Sequence, residues 1–224
     1  MRTILAVIGD YYHPAEAIAE GLQQSLAPLM ASGDIELSYT TVKYLAEELA
    51  AKPDAVILYK DNNINPADEQ VQQWLGDETE QAILRYVRAG GGWFAWHSGL
   101  ASYPAEGGYV QMTRGYFQHH PEQKLVRSIT VEPAGRSGEE HVNIAADQAF
   151  ETVDEHYFVD CDEASTTVFM RTYSEDGQSI GGWSHAYGEG RVCCLTPAHN
   201  RESLLHPVLG ELVNACVQWC ARMA

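Results

Sequence analysis

Along the first hundred positions, short unbroken apolar runs alternate with amphipathic stretches. Thr3 to Ile8 is the first run, ending at Gly9-Asp10; Ile35 to Thr40, Ala55 to Tyr59 and Trp93 to Trp96 follow. Runs with little polar alternation predict strands covered on both faces, as in a parallel sheet. Between them, Ala15 to Leu26 puts Ile18, Leu22 and Leu26 on one helical face. Val42 to Ala50 reads as a short helix, and Asp77 to Ala89 as a longer one turning Ile83, Tyr86 and Val87 inward. Pro14 suits a first helical turn, and Gly90 to Gly92 stop the third helix. This order predicts an α/β fold: a three-layer sandwich around a mostly parallel central sheet with helices on both faces.

The pattern then becomes less regular. Tyr103 to Gln118, rich in glycine and aromatic residues, reads as loop with a short helix or turn. Leu125 to Glu132 alternates like a strand, Arg136 to Glu140 is a polar turn, and Phe150 to Tyr157 reads as loop with one helical turn. Phe158 to Asp160 extends a strand. Thr166 to Tyr173 and Ser179 to Ser184 read as adjoining strands about the turn Glu175-Asp176-Gly177. Arg191 to Thr196 is a further strand entered through Gly188-Glu189-Gly190, and Glu202 to Arg222 reads as one long helix. With no repeat, linker or low-complexity tract, residues 1–224 are expected to form one domain.

Charge narrows the partners. Asp and Glu total 31 against 14 Lys and Arg, a formal net charge of -17. A field of that sign repels phosphate backbones and anionic membranes, so neither nucleic acid nor membrane is an expected partner. The first residues carry a strand rather than a cationic leader with an apolar stretch, and no apolar run spans a bilayer, so a soluble, cytoplasmic protein is expected. The five cysteines do not form a disulfide framework; Cys216 and Cys220 read as small buried hydrophobes.

The chemistry gathers where strands end, which is where open α/β sheets bind ligands. Asp10 and His13 follow the first strand, Lys60, Asp61 and Asn62 the third, His97 and Ser98 the fourth, and His199 the late strand. His119-His120-Pro121 and Asp154-Glu155-His156-Tyr157 add further imidazoles and carboxylates. Such groups are ligands for a zinc-like ion and equally an acid and base for a sugar or keto compound without metal; spacing does not separate the two. Asp10, Tyr12, Asp61, Trp96 and Tyr116 are the expected substrate contacts, the aromatic rings among them suited to stacking on a sugar. No GxGxxG follows the first strand and no GxxxxGK[ST] is present, so no nucleotide cofactor is expected. Ala95-Trp96-His97-Ser98-Gly99 has the layout of a nucleophile elbow with histidine at its centre.

These segments in this order resemble the trehalose-utilisation ThuA-like family. The likeness rests on the first-strand turn to His13, on Gly90-Gly91-Gly92-Trp93-Phe94-Ala95-Trp96-His97, on Gly115 to Pro121, on Asp154-Glu155-His156-Tyr157, and on Trp183 to Val192 leading to Ala198-His199. The resemblance implies a class I glutamine-amidotransferase-like, flavodoxin-like fold and a role in carbohydrate catabolism. The implied substrate is trehalose-like or a keto-sugar, and the implied reaction a hydrolysis or an isomerase- or lyase-type step. The family's motif histidines correspond to His13, His97, His120 and His199, with Glu155 as the matching carboxylate. His13, His97, Glu155 and His199 are thereby the expected catalytic residues. Two or three of His13, His97, His120 and His199 are the candidate ligands of one divalent ion, zinc by donor type, with Glu155 a further ligand or a general base. Glutamine amidotransferases use a cysteine at the elbow where this chain has His97, so glutaminase activity is not expected. The alternative is a sugar- or metabolite-binding protein without turnover, and a homodimer through the irregular middle is compatible with either role. The start Asp10-Tyr11-Tyr12 departs from the family's glycine-rich one, which bears on pocket shape and substrate.

Overall fold

A computed structural model describes residues 1–132 and 141–223. The polar turn expected at Arg136 to Glu140 lies outside these residues. The strands are β1 (Arg2–Ile8), β2 (Ile35–Thr40), β3 (Ala55–Tyr59), β4 (Gly92–Trp96), β5 (Gly115–His119), β6 (Lys124–Thr130), β7 (Ala149–Asp154), β8 (Phe158–Cys161), β9 (Thr167–Ser174), β10 (Gly177–Tyr187) and β11 (Gly190–Leu195). The helices are α1 (Ala15–Ala31), α2 (Leu45–Ala50), α3 (Asp77–Arg88), α4 (Gly108–Thr113), α5 (Arg201–Leu204) and α6 (Pro207–Cys220).

Among the described residues, nine strands make one sheet in the order β2-β1-β3-β4-β11-β10-β9-β6-β7. The first five run parallel, and their order is that of flavodoxin-like folds. From β10 to β7 every pairing is antiparallel. Helices α1 and α6 cover one face over Ile4, Ile57, Phe94 and Leu195; α2, α3 and α4 cover the other over Leu5, Leu58, Trp93 and Val192. β3 and β4 are buried at every position, which is why their sequences show no alternation. All five cysteines are free thiols, and Cys193, Cys194, Cys216 and Cys220 are buried.

Three expectations need correction. Most of the supposed loop from Phe150 belongs to strand β7, Ala149–Asp154, paired with β6 from Lys124↔Asp154 to Ile129↔Ala149. Its alternation is short and mostly polar, so tertiary pairing rather than pattern decides it. Gly115–His119, read as loop, is β5 and pairs with β8 in a separate ribbon. The C-terminal helix is two helices: Pro207 opens α6, and the His206 ring accepts from the Val208 amide as its cap. Among the described residues, no helix is long and apolar enough to cross a membrane.

Candidate metal centre

The C-terminal ends of β1, β3, β4 and β11 form one rim, and the end of β7 reaches it from the antiparallel side. Gly9 turns the chain after β1 with φ at +87°, and a Cβ there would stand 2.7 Å from the Ala15 side chain, so only glycine brings Asp10 and His13 around so tightly. After β4 the chain enters a single 3-10 turn, His97–Leu100, and His97 takes a φ of +47°. Such a backbone on a non-glycine residue costs on the order of 1–3 kcal/mol and is found where a side chain is aimed for function. A Cβ at Gly99 would stand 2.2 Å from the Leu58 carbonyl oxygen, so the turn lies hard against β3. The elbow layout in the sequence is thus an elbow in space, with imidazole at its apex.

Four of these side chains converge. One ligand atom from each of His13, His97, Glu155 and His199 lies within 4.8 Å of the others. His13 Nε2 and His199 Nδ1 are 2.9 Å apart, His199 Nδ1 is 3.2 Å from Glu155 Oε1, and His97 Nε2 is 3.5 Å from Glu155 Oε2. A tetrahedral ion with bonds of about 2.0–2.2 Å needs ligand separations of roughly 3.4 Å, inside this range.

The far side of two rings is fixed. His13 Nδ1 donates to Asp10 Oδ1 at 2.6 Å, and His97 Nδ1 donates to the Thr196 carbonyl at 2.6 Å. Both partners accept only, so each Nδ1 carries the hydrogen and each Nε2 presents a lone pair to the centre. His97 Nε2 is buried and has no hydrogen-bond donor. An orphaned lone pair aimed into a cluster of like donors, with the opposite nitrogens held by a carboxylate and a carbonyl, is an arrangement that could hold a metal ion.

The charges agree with this. Burial pushes the His97 pKa down against the pull of Glu155, keeping the ring neutral. Burial alone would raise the Glu155 carboxyl, but His199 beside it holds it well below the usual range, so it is ionised. His199 loses some basicity to burial and gains more from Glu155, so its pKa rises. Asp10, raised by burial, is brought far down by His13, the Asp61 amide and the Ser98 hydroxyl.

The remaining expected residues sort by position. Asp10 is the orienting carboxylate behind His13, and Ser98 Oγ donates to it at 2.7 Å, which occupies that hydroxyl. Asp61 accepts from the Asn63 amide and the Ser102 hydroxyl, holding the turn after β3; burial, with Asp10 nearby, raises its carboxyl. Tyr12 is half exposed at the mouth, its ring 6.4 Å from that of His13. His120 is not among the four: its Nε2 is 3.7 Å from Glu155 Oε1 on the solvent side and its ring is 38% exposed. Trp96 is a correction. It is wholly buried, stacked on Phe94, with its indole N–H donating to the Pro197 carbonyl, and offers no face to a ligand. Tyr116 is another; it lines a separate groove with Arg114 and Asp160, whereas the next residue, Phe117, reaches Tyr157.

Two contributors were missed. The Tyr157 ring stacks on His97 with centroids 4.0 Å apart. The buried Asp154 carboxylate accepts from the amides of His199, Asn200 and Glu155, tying the end of β7 to the loop after β11. Both lie in the Asp154–Tyr157 cluster already visible as polar, but only pairing of β7 into the sheet shows where it points.

The ThuA family profile, described as trehalose utilisation, matches residues 6–220. A putative ThuA-like protein from Parabacteroides merdae has a similar structure with a TM-score of 0.71 at 14% identity, covering 98% of this chain and 90% of that one. A cytoplasmic protein from Salmonella typhimurium LT2 gives 0.61 at 13% identity, covering 99% and 98%. A cold-adapted β-galactosidase from Rahnella sp. R3 gives 0.60 at 10% identity over 93% of this chain and 30% of that one. At these identities the likeness is one of fold. No curated protein matches the sequence. With nearly the whole chain matched by one family profile, the protein belongs to the ThuA family of trehalose utilisation.

Proposed function

We propose that this protein is a cytoplasmic enzyme of carbohydrate breakdown. Its substrate is a neutral trehalose-like disaccharide or keto-sugar, and its site holds one divalent transition ion. The observation that carries the reading is the orphaned His97 Nε2, buried and facing His13 Nε2, His199 Nδ1 and Glu155 across one small space. Three imidazoles and one carboxylate are a borderline donor set that suits zinc. When bound, such an ion would polarise a carbonyl or hydroxyl oxygen of the substrate.

The chain's own groups supply the rest. Asp10 and the Thr196 carbonyl hold His13 and His97 in the tautomer that faces inward. The hydrogen on His199 Nδ1 lies between His13 Nε2 and Glu155, so this nitrogen would have to be free of it to help hold a cation. Glu155, ionised and slightly exposed, can take a proton from a sugar hydroxyl or from a carbon beside a keto group. His120, next to Glu155 and half exposed, is placed to pass that proton to solvent. Tyr11 and Tyr12 at the mouth offer exposed aromatic faces to a sugar ring.

Elemental analysis of untagged protein, paired with product analysis on disaccharides and their keto derivatives, tests both parts. The expected result is one zinc per chain, lost in His97→Ala and His199→Ala, and turnover abolished by the same replacements. Metal well below stoichiometry and unaffected by either replacement would sink the metal centre. Tight sugar binding with the ligand recovered unchanged would establish the non-catalytic alternative.

A further inference from the structure

The opposite end of the sheet carries a second cavity. It opens between α2, α3 and the end of α6, where β1, β3 and β4 begin, and has a volume of about 500 Å³, in the range of small-ligand sites. The strands between span five residues or more, so this cavity is roughly 17 Å from the histidine cluster and cannot share a small ligand with it.

Its lining is unusual for this chain. Four cationic side chains, Arg2, Lys52, Arg85 and Arg222, surround it against one carboxylate, Asp54, in a protein where acidic residues outnumber basic ones 31 to 14. Asp54 is occupied: it accepts from Arg2 at 2.8 Å and from the Thr3 amide at 2.8 Å. The Arg222 guanidinium donates, among the described residues, to a neutral acceptor, the Glu189 carbonyl. Among the described residues, Lys52, Arg85 and Arg222 have no carboxylate within ion-pair distance, and the one lining carboxylate, Asp54, is taken by Arg2. Three cationic residues line one cavity, none with a carboxylate at ion-pair distance among the described residues, so the cavity is locally positive in an otherwise acidic protein.

The floor is apolar and rigid. Leu49 and the Tyr86 ring are buried beneath the cations. Tyr86 Oη donates to the Pro53 carbonyl at 2.9 Å or the Gly92 carbonyl at 3.2 Å. A Cβ at Gly91 would overlap the ring at 2.3 Å, so the glycine lets it lie flat against the strand entry. Guanidinium groups match phosphate oxygens in a fork geometry, and an apolar floor receives an organic body rather than a bare ion.

We propose that this cavity binds a small phosphate ester, its phosphoryl group held by Lys52, Arg85 and Arg222 and its organic body seated on Leu49 and Tyr86. Isothermal titration of the intact protein with AMP and glucose 6-phosphate tests it, with adenosine, glucose and inorganic phosphate as controls. At least one ester is expected to bind saturably at millimolar concentration or tighter, and more tightly than any of the three controls. The double variant Lys52→Gln/Arg85→Gln, at two exposed positions, should weaken that binding about tenfold or more. Its melting temperature and zinc content should match the wild type. No saturable heat from either ester, equal binding by wild type and variant, or inorganic phosphate binding as tightly as the esters would each overturn the proposal.

Discussion

The parallel and antiparallel parts of the one sheet solve different problems. In the parallel part, β3 and β4 are buried on both faces and can carry only apolar side chains along their length. Their chemistry is therefore confined to the residues just past their ends, and His97 is one of these. In the antiparallel part, β6 alternates buried Val126, Ser128 and Thr130 with exposed Leu125 and Arg127, so one face meets solvent. That part contributes a single member of the cluster, Glu155, yet it is the carboxylate that makes electrostatic sense of the three imidazoles. The parallel sheet supplies a rigid rim, and the antiparallel extension brings a charge to it.

The comparison breaks most sharply on packing. Ile57→Ala, at the wholly buried centre of β3, should destabilise by about 2–5 kcal/mol. Val153→Ala, on the exposed face of β7 at 60% exposure, should stay within about 0.5 kcal/mol. Urea denaturation of both variants decides the matter; comparable losses would mean that the open face is covered in solution. A smaller effect is expected where the two parts are latched together. Asp154→Asn keeps the shape but weakens the acceptor for the His199, Asn200 and Glu155 amides. It should cost about 1.5–3 kcal/mol in the same assay. An unchanged midpoint would show that the latch contributes nothing.

The smallest effect belongs to the strand entries. Burial raises the Asp54 carboxyl, but the Thr3 amide and Arg2 more than offset this, so its folded pKa lies below the ordinary value. A depressed carboxylate stabilises the fold above its unfolded pKa of about 3.9, and that contribution disappears as pH falls through the folded value. Asp54→Asn should therefore melt slightly lower than wild type at pH 7, with the two curves converging below pH 4. Parallel melting curves down to pH 2 would contradict this.

The same division explains what could be read from the sequence. β1, β3 and β4 were visible because double burial leaves unbroken apolar runs, and His13, His97 and His199 were visible because they follow such runs. β7 was not, since Phe150, Thr152 and Asp154 alternate with Glu151 and Val153 in a pattern a loop can also show. Trp96 and Tyr116 were assigned to the rim because position along a strand was readable and facing was not. Both neighbours of Ala95 are bulky and buried, so alternation could not say which way Trp96 points. Thr196 lay beyond reach for another reason: it acts through its carbonyl, which every residue possesses.

β11 lies in the middle of the sheet, yet its residues, Gly190–Leu195, come late in the sequence. During synthesis β4 is made nearly a hundred residues before the strand that will lie against its free edge. An exposed strand edge is a template for wrong pairing, and chains fold from the N-terminus as they emerge. The growing protein must carry that open edge until the β10–β11 hairpin arrives to close it. The same event delivers His199, so the last seam of the sheet and the last histidine of the cluster are completed together.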